Sequence, residues 1–115
     1  MQKGSNPVRA TRIALEGLAD AVRNELAFRL ELAGLALAVP LGIYLGKTGV
    51  ERALLVGSAL LVPLVELVNS AIEAAIDRIS LERHPLAKRA KDLGAAAVFM
   101  SILSACAVWA LVLLG

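Results

Sequence analysis

The chain holds one cysteine, one histidine and few aromatics, with only one Trp, one Tyr and two Phe in 115 residues. Cys106 has no partner and lies in an apolar run, which excludes an intramolecular disulfide framework and predicts a buried thiol. The formal net charge is only +2, and the bases are spread over ends and loops without interleaved aromatics, so no nucleic-acid partner is expected. A phosphate-binding loop is also missing. Gly42-Ile-Tyr-Leu-Gly46-Lys47-Thr48 resembles one, but it places three residues between the glycines where four are required, and it ends a hydrophobic segment instead of following a strand. Charge itself is lacking over three long runs, 32–46, 53–65 and 93–114.

What the chain has in place of these is apolar bulk. Its hydrophobic content of 58% and mean hydropathy of +0.73 over 115 residues predict one small membrane domain, 1–115, all α-helical. A few helices of this size cannot enclose a large cavity, so a site needing several walls would borrow them from neighbouring copies, and a homo-oligomer is expected. Residues 5–24 predict an amphipathic surface helix. Val8, Leu15, Leu18, Val22 and Leu26 form one stripe, with Arg9, Arg12, Glu16, Asp20 and Arg23 beside it. Those charges interrupt the apolar core that a secretory signal would need.

Three spans follow, at 26–46, 53–80 and 90–114. Arg29 and Glu31 would snorkel or pair at the entry of the first, and Tyr44 and Trp109 suit the interfacial belt. Gly46 to Gly49 forms a short polar turn, Pro63 stands inside the second span, and the base-rich segment 78–91, with the turn signal His84-Pro85, reads as a loop. Bases are dense in the amino-terminal arm and in this loop and sparse in the first turn, so the amino terminus is expected on the cytoplasmic side. Small residues around Gly94, Ser101 and Ala105 permit close helix contacts.

The second span carries an anomaly. After thirteen uncharged residues comes ELVNSAIEAAID, Glu66 to Asp77, in which Glu66, Asn69, Glu73 and Asp77 fall on one stripe at about 100° per residue. A carboxylate at membrane depth costs on the order of 2.5–3.5 kcal/mol on insertion scales. Three accounts could offset this: pairing with bases of an adjacent helix, a proton or ion route, or a metal carrying an anionic substrate. The stripe descends from the cytoplasmic edge beside the basic segment ending at Lys91-Asp92, which favours a cleft opening to the cytosol. Mg2+ takes a few carboxylates plus phosphate oxygens and water, and lysine is a suitable point charge for polyphosphate. Glu66, deeper in apolar surroundings, could accept the proton of a lipid alcohol. Spacing alone leaves phosphoryl transfer, transport and a structural polar network all open.

The segments ELVNSAIEAAIDRI (66–79), RAKDLGAAAV (89–98) and NELAFRLE (24–31) resemble the signature of the small bacterial membrane diacylglycerol kinases, in order and over nearly the whole chain. The resemblance implies a homotrimer with three spans and one surface helix per chain, transferring the γ-phosphoryl of Mg2+-ATP to diacylglycerol at the cytoplasmic face of the bacterial inner membrane to give phosphatidic acid. It places Glu66 as catalytic base, in contact with the lipid, and Glu25 and Glu73 as metal ligands; Trp109, apart from the resemblance, could border the lipid as well as anchor at the interface. Glu25, Glu73, Glu82, His84, Lys91 and Asp92 become nucleotide contacts, and Asn69, Ser70 and Asp77 orienting or electrostatic groups.

The amino-terminal arm departs from the pattern. A nucleotide-contacting arginine would fall on Asn6 and an aromatic on Ile13, which leaves Arg9 or Arg12 to substitute. A related branch phosphorylates undecaprenol, and HPLAK at 84–88 also suits it, whereas DRI at 77–79 and NELAFR at 24–29 are closer to the diacylglycerol enzymes. Read without the resemblance, Glu25 is an interfacial acid paired with Arg29 at i+4, and His84 is a solvated loop residue. A small proton-coupled transporter is the rival of a different class.

Overall fold

A computed structural model describes residues 6–115, and these form four helices: α1 Pro7–Asn24, α2 Leu26–Leu45, α3 Gly49–Ile79 and α4 Pro85–Leu114. Three of them, α2, α3 and α4, are long and apolar enough to cross a membrane. Local chemistry sets their ends. Asn6 caps α1 by accepting the Arg9 N–H at 2.7 Å, with Pro7 in the first turn, where its missing N–H costs nothing. Thr48 caps α3 through the Glu51 N–H at 3.1 Å, while the Glu51 carboxylate reaches back to the Lys47 N–H at 2.9 Å. Gly46 is required for the turn between α2 and α3. A Cβ there would come within 2.9 Å of the Arg52 backbone nitrogen. The glycine-rich segment is thus a helix–turn–helix corner, with Arg52 Nε donating to the Ile43 carbonyl at 3.1 Å at the open end of α2.

Two helices start ahead of the expected spans, α3 at Gly49 where the span is expected from 53, and α4 at Pro85. The base-rich segment is largely helical, because His84 opens α4 instead of merely closing α3. Its Nδ1 accepts the Leu86 N–H at 3.1 Å, and Pro85 takes the first helical position. Only Ser80 to His84 remain between the helices, and α4 begins five residues ahead of the expected position 90. Pro40 and Pro63 both lie inside helices, in α2 and α3 respectively.

α3 is the central element, packed against α2 on one side and α4 on the other, while α1 meets α2. At about 1.5 Å per residue its 31 residues span roughly 46 Å, well beyond a ~30 Å hydrocarbon core. Its polar last turns therefore extend into a headgroup layer. Within one chain the core is thin, since Ala21, Phe28 and Leu55 are the buried apolar residues among those described. Large apolar side chains such as Leu37, Leu61, Leu64, Phe99, Met100 and Leu111 face outward, as they do where lipid or further protein covers them. Cys106 belongs to this outer face: the expected buried thiol is exposed in the single chain, because its position on α4 turns away from α3.

Candidate active site

The buried side of α3 is the side that carries the acids. Leu55, Ser58, Glu66 and Asn69 are buried and Glu73 is half-buried, at steps of three, eight, three and four residues, each close to one or two helical turns. Leu54, Leu61, Leu64 and Val68 point outward. The stripe seen in the sequence is therefore the packing face of the central helix. Glu66 keeps only 7% of its surface and Asn69 only 8%, so both are enclosed by the neighbouring helices.

Each neighbour contributes something distinct. From α2, the Glu31 carboxyl lies beside that of Glu66, with its Oε1 enclosed and without a hydrogen-bond partner. Glu31 was expected only as a charge at the entry of the first span. Its place against Glu66 follows from the α2–α3 packing register, which has no local sequence signal. From α4, Gly94 is buried against Asn69 so closely that a Cβ would overlap Asn69 Oδ1. That amide oxygen is likewise enclosed and unpartnered.

Glu25 is the single residue between α1 and α2, extended at φ −119° and ψ 106°. Its Oε1 accepts a hydrogen bond from Ser70 Oγ at 3.0 Å, across 45 positions of sequence. Among the described residues the i+4 ion pair with Arg29 is not formed. The Arg29 guanidinium instead donates to the Val22 and Arg23 carbonyls at 2.8 and 3.1 Å. Ser70 stands three residues from Glu73, a rise of about 4.5 Å, so the acid at the α1–α2 joint and the acid on α3 reach the same stretch of helix.

Toward the end of α3 the basic residues of α4 come into play. Lys91 is on the side of α4 that faces α3, one turn from buried Gly94, and its Nζ lies 2.8 Å from Asp77 Oδ1 and near Glu73. Lys88 faces outward and pairs with Asp92 at 2.6 Å within its own helix. An open cleft of about 640 Å³ runs past Asp77, Glu82, His84, Lys88, Lys91 and Asp92, within the range of small-ligand sites. The stripe residues Glu66, Asn69 and Glu73, and Ser70 with its partner Glu25, lie outside the lining of this cleft, farther back along α3 from the α3–α4 connection.

Trp109 is not brought to this group. Its indole N–H donates to the Leu55 carbonyl at 3.0 Å, and Leu55 is eleven residues from Glu66, roughly 16 Å along α3. Within one chain Trp109 ties the opposite ends of α3 and α4 together.

The arrangement presents an enclosed carboxylate, Glu66, then the half-buried Glu25 and Glu73, followed by Lys91 and an open cleft. This order suits a reaction between a group in the membrane and an anionic ligand outside it. Comparison with known proteins points the same way. The family model for prokaryotic diacylglycerol kinase matches residues 12–113. The diacylglycerol kinase of Pseudomonas aeruginosa is 46% identical over 106 residues, covering 92% of this chain and 86% of the relative. That of Haemophilus influenzae is 44% identical over 102 residues (89% and 86%), and that of Escherichia coli 43% over 106 (92% and 87%). With three helices able to cross a membrane and this match over most of its length, the chain is a multi-pass membrane protein and belongs to the prokaryotic diacylglycerol kinase family.

Proposed function

We propose that this protein is a lipid kinase, a phosphotransferase with an alcohol acceptor, that moves the γ-phosphoryl of ATP to the hydroxyl of diacylglycerol and yields phosphatidic acid and ADP. The observation that carries this reading is the depth order of the site. Glu66 is buried on the packing side of α3, Glu25 is bonded to Ser70 one turn further on, Glu73 follows three residues later, and Lys91 and the cleft lie beyond them.

In this scheme Glu66 accepts the proton of the lipid hydroxyl. The freed oxygen bonds to the γ-phosphorus as the bond from that phosphorus to the β,γ-bridging oxygen breaks, and ADP leaves with the bridging oxygen. Asn69 orients the groups on either side of it on the stripe. Lys91 neutralises phosphate charge as a point cation, held toward the site by Asp77. Glu82, His84 and Asp92 line the cleft for the nucleotide. His84 Nδ1 is occupied as a helix cap, so its contribution is made through Nε2.

The donor set fits Mg2+. Two carboxylates near one stretch of α3, one steadied by Ser70, leave coordination positions for water and phosphate oxygens, the mixture this ion prefers. Glu25 and Glu73 would hold the ion, which would supply neutralisation of the phosphate charge.

The outward apolar faces and a cleft walled on one side fit a homotrimer, in which a neighbouring copy closes the site. α1, with apolar and charged stripes side by side, would lie as a surface helix in the headgroup plane. The base-rich arm and α3–α4 connection place this face, and the amino terminus, on the cytoplasmic side of the bacterial inner membrane. Arg9 and Arg12 on α1 are the candidates for the nucleotide contact that Asn6 cannot make.

The purified full chain in mixed micelles with Mg2+, labelled ATP and either diacylglycerol or undecaprenol tests the reading and the choice of lipid. Label is expected in phosphatidic acid, and Glu66→Gln should lower turnover by at least about a hundredfold with the oligomer intact. Preferential labelling of undecaprenol would assign the other branch, and labelling of neither lipid would revive the transporter.

A further inference from the structure

The residue proposed here as a metal ligand, Glu25, occupies an awkward position for that task. It belongs to no helix, and it is joined to α3 by one hydrogen bond from Ser70. Its carboxylate goes where the angle between α1 and α2 sends it. α1 itself packs lightly, with Ala21 as its buried residue, so packing alone holds that angle weakly.

We infer that Arg29 is a positioning residue for Glu25, acting as a clamp across the α1–α2 joint. The last carbonyls of α1 have no partner within the helix. Arg29, one turn into α2, donates Nη1 to two of them, Val22 at 2.8 Å and Arg23 at 3.1 Å. Its backbone N–H also donates to the Glu25 carbonyl at 3.2 Å. One side chain on α2 therefore grips the end of α1 while its own backbone holds the residue between the two helices. A guanidinium at a helix C-terminus also meets the negative end of the macrodipole, which favours this placement over a free arginine.

The clamp has a second effect, on charge. At i+4 from Glu25, Arg29 is placed for an ion pair with it, and such a pair would set a protein cation against the carboxylate. The two carbonyls draw the guanidinium away, and Ser70, a neutral donor, takes Glu25 Oε1 instead. Among the described residues no ion pair therefore occupies the carboxylate, which leaves it open to a cation from solution. Arg52 offers an internal comparison: it donates to the Ile43 carbonyl at the α2–α3 corner, a similar cap with no acid of the site nearby.

This inference rests on Glu25 as a metal ligand, so the test separates the two. Mn2+ serves as paramagnetic stand-in, and its affinity for the full-length oligomer in detergent, with a non-hydrolysable methylene analogue of ATP present, is read by electron paramagnetic resonance. Arg29→Met should weaken Mn2+ binding about tenfold, the scale of a hydrogen bond made by a charged group. In the kinase assay it should raise the KM for Mg2+ similarly while changing the KM for diacylglycerol less than about twofold. Arg29→Lys, which keeps the charge but lacks the planar guanidinium fork, should fall between, and decides the matter if the Met variant does not assemble. Arg52→Met, which removes a cap of the same kind, should leave Mn2+ affinity unchanged.

Glu25→Gln is the reference. If it weakens Mn2+ binding while Arg29→Met and Arg29→Lys do not, the clamp is refuted and the ligand assignment stands. If Glu25→Gln leaves Mn2+ binding intact, Glu25 is not a ligand and both fall. Equal losses of Mn2+ affinity in Arg29→Met and Arg52→Met would reduce Arg29 to a general helix cap and overturn the positioning role.

Discussion

Gly94→Ala is the sharpest probe of the contact that links packing to chemistry. The added Cβ would overlap Asn69 Oδ1 and lie 3.1 Å from Asn69 Cγ, while Asn69 Cβ at 3.8 Å is at ordinary distance. Only the amide end is in the way. Two responses are open. The amide can leave its rotamer, at about 0.5–1.5 kcal/mol, or α4 can move away from α3, with the overpacking cost of about 1–3 kcal/mol seen in tight cores. Both displace a residue one turn from Glu66 and one from Glu73, and misplacement by about an ångström near reacting groups can cost on the order of a hundredfold in rate. We expect Gly94→Ala to lower kcat by ten- to a hundredfold and to lower the unfolding temperature in detergent. The cycle with Asn69→Ala isolates the cause. Removing the amide makes room for the methyl, so Gly94→Ala should cost little further stability in that background, a coupling of about 0.5–3 kcal/mol. Strict additivity of the two stability losses, or a fully active and stable Gly94→Ala protein, would show that the α3–α4 approach is not set by this pair.

Three further outcomes follow from the same geometry. Trp109→Phe removes the hydrogen bond to Leu55 and should cost about 1 kcal/mol of stability with kcat nearly unchanged; a large fall in kcat with the fold intact would instead place Trp109 at the lipid, supplied by a neighbouring copy. His84→Ala should destabilise by about 1 kcal/mol through loss of the α4 cap and raise the KM for ATP, whereas His84→Asn should restore stability but not KM; a wild-type KM in the Asn variant would remove His84 from the nucleotide site. Lys91→Met should raise the KM for ATP about tenfold and Lys88→Met much less, since Lys91 reaches α3 at Asp77 whereas Lys88, also in the cleft lining, is paired with Asp92 on its own helix; equal effects would mean that the cleft reads only overall charge.

Helical periodicity made the central feature legible in advance. The steps from Glu66 to Asn69 and Glu73 put them on one side of α3 whatever the helix packs against. What it could not give was the identity of the partner, because that depends on how distant segments meet. Arg29 is the local choice for Glu25, four residues on, yet Ser70 takes the carboxylate from 45 positions away. Glu31 and Glu66 sit together for the same reason, through the α2–α3 register. At His84-Pro85 the local signal is two-sided, since the pair reads equally as the end of one helix and the cap and first turn of the next. The density of bases after it favoured a loop, although a helix can carry Lys88, Arg89 and Lys91 where it projects beyond the apolar core.

The placement of polar groups on the packing side of α3 has a physical consequence for the molecule as a whole. A chain whose buried apolar residues are Ala21, Phe28 and Leu55 has little core with which to offset the burial of Glu66, Asn69 and part of Glu31. Two of the enclosed oxygens, on Glu31 and Asn69, lack any partner in the single chain, and each such group costs on the order of 1–3 kcal/mol. A structure selected for stability alone would fill these positions with Leu or Ala, as the outer side of the same helix is filled. Keeping unsatisfied polar groups beside a buried carboxylate makes sense where something else completes them, and the missing donors are those that a lipid hydroxyl or a neighbouring copy would bring. On this argument substrate or assembly should stabilise the fold at the α2–α3–α4 contact more than at the Trp109–Leu55 end, a difference that amide exchange along α3 would reveal.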